Sequence, residues 1–159
     1  MKPWKSNVSP ATLAALPAPN FGPNFNHHVM NPAIAGAGIS GLHCLPNPLP
    51  ANYVLTNRVN DSKVPTVFQA TITIGVASKT GTFFPSGTAI AAIRTIVTEA
   101  YRDYQAFHAH SEVYGQMMAK YRLAWIGYGT IGGKKIWISG INTGGQLSTA
   151  FPAVNGKFV

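Results

Sequence analysis

Two hydrophobic periodicities meet in the middle of this chain, and their order limits the folds open to it. In VPTVFQATITIGV, the residues Phe68, Ala70, Ile72, Ile74 and Val76 alternate with Gln69, Thr71 and Thr73. That is the period of a strand with one face buried. SKTGTFFPSG then breaks the pattern. Beyond it Ile90, Ile93, Val97, Ala100 and Tyr104 recur at helical spacing, which predicts an amphipathic helix over residues 88–107, with Ser86 or Thr88 as its cap. Glu99 and Asp103, four apart, are expected on its solvated face. Further on, YRLAWIGYG and KKIWISGI flank TIGG, and NTGG precedes QLSTAFPAV. Glycine-bearing links between short apolar runs predict an antiparallel meander. A strand, a helix and then a run of strands make an α+β class.

The first third is less regular. Residues 1–26 hold five prolines and read as an extended, loosely packed arm or linker, leaving 27–159 as the domain. Residues 27–63 are expected to be loop-rich, because LPNPLP cannot continue a helix or a central strand; a short helix near His28 is the exception. His27 and His28 stand before the small-residue run AIAGAGISG, and His43 after it. This run is expected to be a flexible loop with imidazoles on both sides. An apolar share of 46% fits a folded protein. No apolar run approaches the roughly 18–20 residues that cross a bilayer, and the N-terminal apolar stretch is too short and too proline-cut for a signal peptide. Cys44 is the one cysteine, which excludes an internal disulfide and suits a reducing compartment.

Charge narrows the partner. Twelve Lys and Arg face four Asp and Glu, a net +8, which favours a polyanion. The basic residues are scattered, only Lys134 and Lys135 being adjacent, whereas a membrane anchor needs a cluster. Nucleic acid is the better partner. The carboxylates are too few for a metal-dependent nuclease that relies on them. Imidazoles can replace them. With an ordinary pKa of about 6.5, one can be neutral and another charged. A base takes the 2′-OH proton of RNA, an acid protonates the departing 5′ oxygen, and a fixed ammonium steadies the phosphoryl charge.

The wording of the sequence adds to this. HHVMNPAIAGAGISGLHCL, KTGTFFP, a helix ending EAY, and GQLSTAFP follow one another in the order seen in the bacterial EndoU endoribonucleases. Over about residues 28–152 the chain resembles that family. Carried across residue by residue, the resemblance makes His28 and His43 the catalytic pair and Lys79 the charge stabiliser, placed directly after the strand and preferred to Lys63. Thr149 becomes the hydroxyl that reads the base, and Phe151 the ring beside it. His27 stays open as the alternative to His28. Pro32 stands where relatives often show glycine, SGTA replaces a tryptophan after TFFP, and Phe151 replaces a tyrosine, so stacking is kept and a phenolic hydrogen bond lost.

The resemblance also implies two small antiparallel sheets with flanking helices and an active-site cleft between them. The activity it implies is metal-independent cleavage of RNA, tRNA among the plausible targets, uridine-preferring and leaving 2′,3′-cyclic phosphate ends without a cofactor. It further implies a monomer, the C-terminal toxin domain of a contact-dependent inhibition protein or similar polymorphic toxin. Such a domain is secreted within its parent, delivered to the target-cell cytoplasm, and masked by an acidic immunity protein.

Independently of the family, alternating side chains put Thr149 and Phe151 on one face of an extended LSTAFP, where they can hydrogen-bond and stack on a base. Competing readings are a non-catalytic basic RNA-binding module, and a zinc nuclease using His108, His110 and Glu112 of HAHSE. A Cys44–His43 thiol pair is disfavoured because strand neighbours point apart. GYGTIGGKK lacks phosphate-loop spacing.

Overall fold

The computed structural model describes residues 9–108, with backbone only at 107 and 108, and residues 124–158. The fold is α+β, with two small sheets and few helices. Helices α1 (Pro10–Ala14) and α2 (Phe25–Met30) precede strands β1 (Pro32–Ala35), β2 (Gly38–Gly41), β3 (Tyr53–Asn60), β4 (Phe68–Ile74) and β5 (Ala77–Phe83). Helix α3 (Ile90–Asp103) runs into a π-helical turn, Tyr104–His108, and β6 (Ala124–Ile131), β7 (Lys134–Thr143) and β8 (Gln146–Pro152) complete the chain. The five-stranded sheet has the order β1-β2-β5-β4-β3, the three-stranded one β6-β7-β8.

Local chemistry explains most boundaries. Ser9 caps α1 by accepting from the Thr12 amide, with Pro10 in the first turn where its missing N–H costs nothing. Helix α2 stops at Asn31, whose backbone is extended as a residue before proline prefers. Two-residue turns join the C-terminal strands at Gly132–Gly133 and Gly144–Gly145, all four at positive φ, the geometry that matches strand twist. The expected meander is present.

Several expectations need correction. The strand of the first periodicity ends at Ile74, because Gly75 at φ +63 opens a two-residue turn; Val76 is 89% exposed on it. SKTGTFF does not break the sheet. It is β5, paired antiparallel with β4 from Ile74↔Ala77 to Phe68↔Phe83. Residues 27–63 are richer in structure than loops: AIAGAGISG forms the β1–β2 hairpin, and β3 lies at the sheet edge with Val54 and Val59 exposed. Pairing is not wholly antiparallel, since β2 meets β5 in parallel at Gly38↔Ser78. Neither Ser86 nor Thr88 caps α3; Ala89 is the cap residue, and the Thr88 hydroxyl donates to the Pro85 carbonyl. The expected arm is partly integral: Phe25 is fully buried and Phe21 bridges to Leu147 of β8.

Glu99 and Asp103 are not on a solvated face. Asp103 is buried and accepts from the Tyr128 amide at 2.7 Å, while Glu99 accepts from the Thr130 amide and hydroxyl and from Lys135. A four-residue helical step is about 6 Å and a two-residue strand step nearly 7 Å, so the carboxylates match successive outward N–H groups of β6. Glycine permits the approach: a Cβ at Gly127 would lie 1.8 Å from the Ala100 carbonyl oxygen. Phe25, Val29, Ile93, Val97, Trp125 and Ile138 fill the core around α3, and Ile126, Tyr128, Trp137 and Phe151 form a second cluster. A third cluster, Leu42, Leu45, Phe68, Ile72 and Phe83, belongs to the larger sheet. No described helix is long and apolar enough to cross a membrane.

Candidate active site

A cavity of about 500 Å³ is lined by residues of both sheets and of α2. All five residues expected at a site, His28, His43, Lys79, Thr149 and Phe151, line it. Of the adjacent histidines, His28 faces this space, while His27 is exposed and holds its Nδ1 3.4 Å from the Asn31 amide nitrogen.

Backbone bonds set the two imidazoles. As the chain leaves β2, the Leu42 amide donates to the His28 carbonyl at 2.8 Å and the His43 amide to the Val29 carbonyl at 2.7 Å. The turn requires positive φ at Gly41 and Leu42, a strain for leucine that its complete burial offsets. Gly41 has no substitute, because a Cβ there would sit 2.5 Å from the His28 carbonyl oxygen. The rings of His28 and His43 are 5.5 Å apart between centroids. The loop expected to be flexible is thus a hairpin hydrogen-bonded to the end of α2, and the imidazoles are held rather than mobile.

The parallel β2–β5 pairing brings in Lys79. It stands inside β5 opposite Ile72, not in a loop after a strand, and its ammonium donates to the Gly41 carbonyl. Gly81 makes room: a Cβ there would lie 3.3 Å from Lys79 Cε and 3.5 Å from Nζ. From the other sheet, Phe151 stacks on His43 at 5.3 Å and 28°. Thr149, two residues earlier, has a hydroxyl shielded from solvent with no hydrogen-bond partner, as has Thr82 of β5. Gly81 and Thr82 were not anticipated; SKTGTFF shows no apolar alternation from which to read β5 as a strand.

Burial dominates the electrostatics. His43 is pushed well below the ordinary 6.5 by desolvation, then by Lys79 and His28. His28 is lowered by desolvation, then by Lys79 and His27. Burial brings Lys79 from 10.5 to about 8. Near neutrality the site therefore combines neutral imidazole with an ammonium, a base beside an anion-stabilising charge. Cys44 points elsewhere: it is buried, its Sγ 3.4 Å from the Pro85 carbonyl oxygen. The zinc reading of His108, His110 and Glu112 falls outside the described side chains, and no group of three or more metal-ligating residues occurs among the described residues. No family model, curated protein or solved structure matches the chain.

Proposed function

We propose that this chain is a metal-independent endoribonuclease of the EndoU type, with its active-site cleft between the two sheets. One observation carries the reading: five residues of suitable chemistry, drawn from distant parts of the sequence, line one nucleotide-sized cavity. A protein of net charge +8 attracts RNA to such a site.

His43 is the base and His28 the acid. His43 is the more strongly desolvated and lies against Phe151, where a stacked uracil would bring its ribose. It takes the 2′-OH proton as O2′ forms a bond to phosphorus. His28, more open to solvent, gives its proton to the 5′ oxygen as the P–O5′ bond breaks. The products are a 2′,3′-cyclic phosphate and a free 5′-OH. Lys79 leaves the Gly41 carbonyl for a non-bridging oxygen, where its charge matters most in the transition state. The substrate is single-stranded RNA or a tRNA loop, with uridine preferred through Thr149 and Phe151. In its wider setting the chain acts as the toxin domain of a larger secreted bacterial protein, delivered to a target cytoplasm and neutralised by an acidic immunity protein.

The test is a synthetic RNA with a single uridine, incubated with EDTA. Wild type is expected to cut beside the uridine, and His43→Ala to lose a factor on the order of 10² to 10⁴, with Lys79→Ala also impaired. Binding without scission would leave a basic RNA-binding module, and zinc-dependent cutting would sink the metal-free reading. The free protein's kcat/KM should peak below pH 6.5. It falls on the alkaline side as His28 loses its proton and on the acid side as His43 gains one, since both sit under their ordinary value.

A further inference from the structure

A second cavity, of about 580 Å³, lies between α1 and α3, and neither His28 nor His43 lines it. Leu13 and Phe21 give it an apolar wall; Arg94, Thr95, Thr98 and Arg102 give it a cationic and hydroxylated one. We infer that this hollow is a second RNA contact, holding the strand on the 3′ side of the scissile bond by its phosphates. The inference rests on the ribonuclease reading above.

The two arginines are placed but not saturated. Arg94 lies over the Phe21 ring at 4.1 Å and donates through one Nη to the Asn26 side-chain oxygen at 3.2 Å. Arg102 donates through Nε to the Leu16 carbonyl at 3.0 Å. A guanidinium has five N–H groups in a rigid fork, so each retains donors for a phosphate while these contacts fix its orientation. Eight helical residues separate them by about 12 Å along the axis, so they can serve different phosphates of one strand. Glu99, the one acid among the described residues lining the hollow, is paired with Lys135 at 2.6 Å, which offsets its repulsion.

Position gives the direction. Asn26, which holds Arg94, lies two residues before His28 in α2, with exposed His27 between them. His28 is assigned to the departing 5′ oxygen, which belongs to the 3′-side strand. Two residues apart on a helix, Asn26 and His28 face nearly opposite ways, so the inferred path takes that strand round α2, over exposed His27, to Arg94. Phe21 and Leu13 offer an apolar surface for a sugar or base edge.

Thr95 supplies the test, because it is exposed and its hydroxyl bonds only to the Ala91 carbonyl of its own helix. Glutamate and glutamine are both good helix formers, so Thr95→Glu adds a negative charge with Thr95→Gln as its control. Three substrates are compared: a uridine-containing dinucleotide, and the same site extended only on the 5′ or only on the 3′ side. Thr95→Glu is expected to lower kcat/KM on the 3′-extended RNA about tenfold further than Thr95→Gln does, the other two substrates being cut alike by both variants. Arg94→Gln should flatten the log–log salt dependence on the 3′-extended RNA by about 0.7 for the lost contact. Equal effects on all three substrates, a loss confined to the 5′-extended RNA, or no loss anywhere would overturn the inference. Failure of the wild type to cut even the dinucleotide would instead overturn the ribonuclease reading, and this inference with it.

Discussion

Thr149 carries a hydroxyl that meets neither solvent nor a protein partner, and such a group is expensive. An unmade hydrogen bond in a buried site costs about 1–3 kcal/mol. Thr149→Val keeps the shape and removes the hydroxyl. It should leave the fold as stable as wild type or up to about 1 kcal/mol more so, while uridine cleavage slows and discrimination among bases relaxes. Thermal melting, together with cleavage of RNAs differing only at the scissile base, checks this; a variant that melts earlier and keeps its selectivity would make Thr149 a packing residue. At this scale the sequence was readable where period dictates direction. Thr149 and Phe151, two apart in β8, do reach one cavity. It was unreadable where only a tertiary partner decides. Nothing in the HH pair reveals that His28 would meet His43 while His27 stays outside, because that depends on how the chain after β2 bonds to the end of α2.

Two strand glycines, similar in sequence, divide between architecture and chemistry. At Gly127 a Cβ would collide with the backbone carbonyl of Ala100 in α3, which cannot move without lifting the helix from β6. Gly127→Ala should cost about 3 kcal/mol, read as a lowered urea midpoint. At Gly81 the neighbour is the far end of Lys79, which can swing aside, and its φ is not positive. Gly81→Ala should keep or slightly raise stability yet displace the ammonium, lowering kcat about tenfold to hundredfold with little change in KM. Unchanged kcat would show that Lys79 needs no such space. The elements that could be read from sequence were those packed on one side. Strand β4 and helix α3 carry strong periodicity because one face of each is buried. The β1–β2 hairpin escaped because Ile34 and Ile39 are the only large apolar side chains among its small residues and show no alternation, and β3 because it is exposed along most of its length. The role of Glu99 and Asp103 also escaped, since spacing shows which side chains share a helix face but not that an unpaired strand edge faces them.

For the whole molecule, the site lowers stability in acid. His28 and His43 hold pKa values below 6.5 in the fold and regain the ordinary value when the chain unfolds. Between 6.5 and those lowered values the unfolded chain binds protons that the folded chain refuses, so acid favours unfolding. Stability from this source is complete above pH 6.5 and declines as pH falls below it. Lys79 acts in a different window: from 10.5 down to about 8 only the unfolded chain gains its proton, and below 8 its contribution is constant. The expected outcome is a urea midpoint that drops between pH 6.5 and 5. His43→Gln, which cannot be protonated there, should flatten that drop more than His28→Gln, because His43 is the more strongly lowered of the two. A drop of equal size in both variants would assign the acid sensitivity elsewhere. The acidic cleavage optimum proposed above and the acid-weakened fold expected here would share one cause: two desolvated imidazoles held beside an ammonium, where a ligand phosphate would supply the missing negative charge. Bound anion should therefore raise the urea midpoint most at pH 5, where His28 and His43 most need a counter-charge.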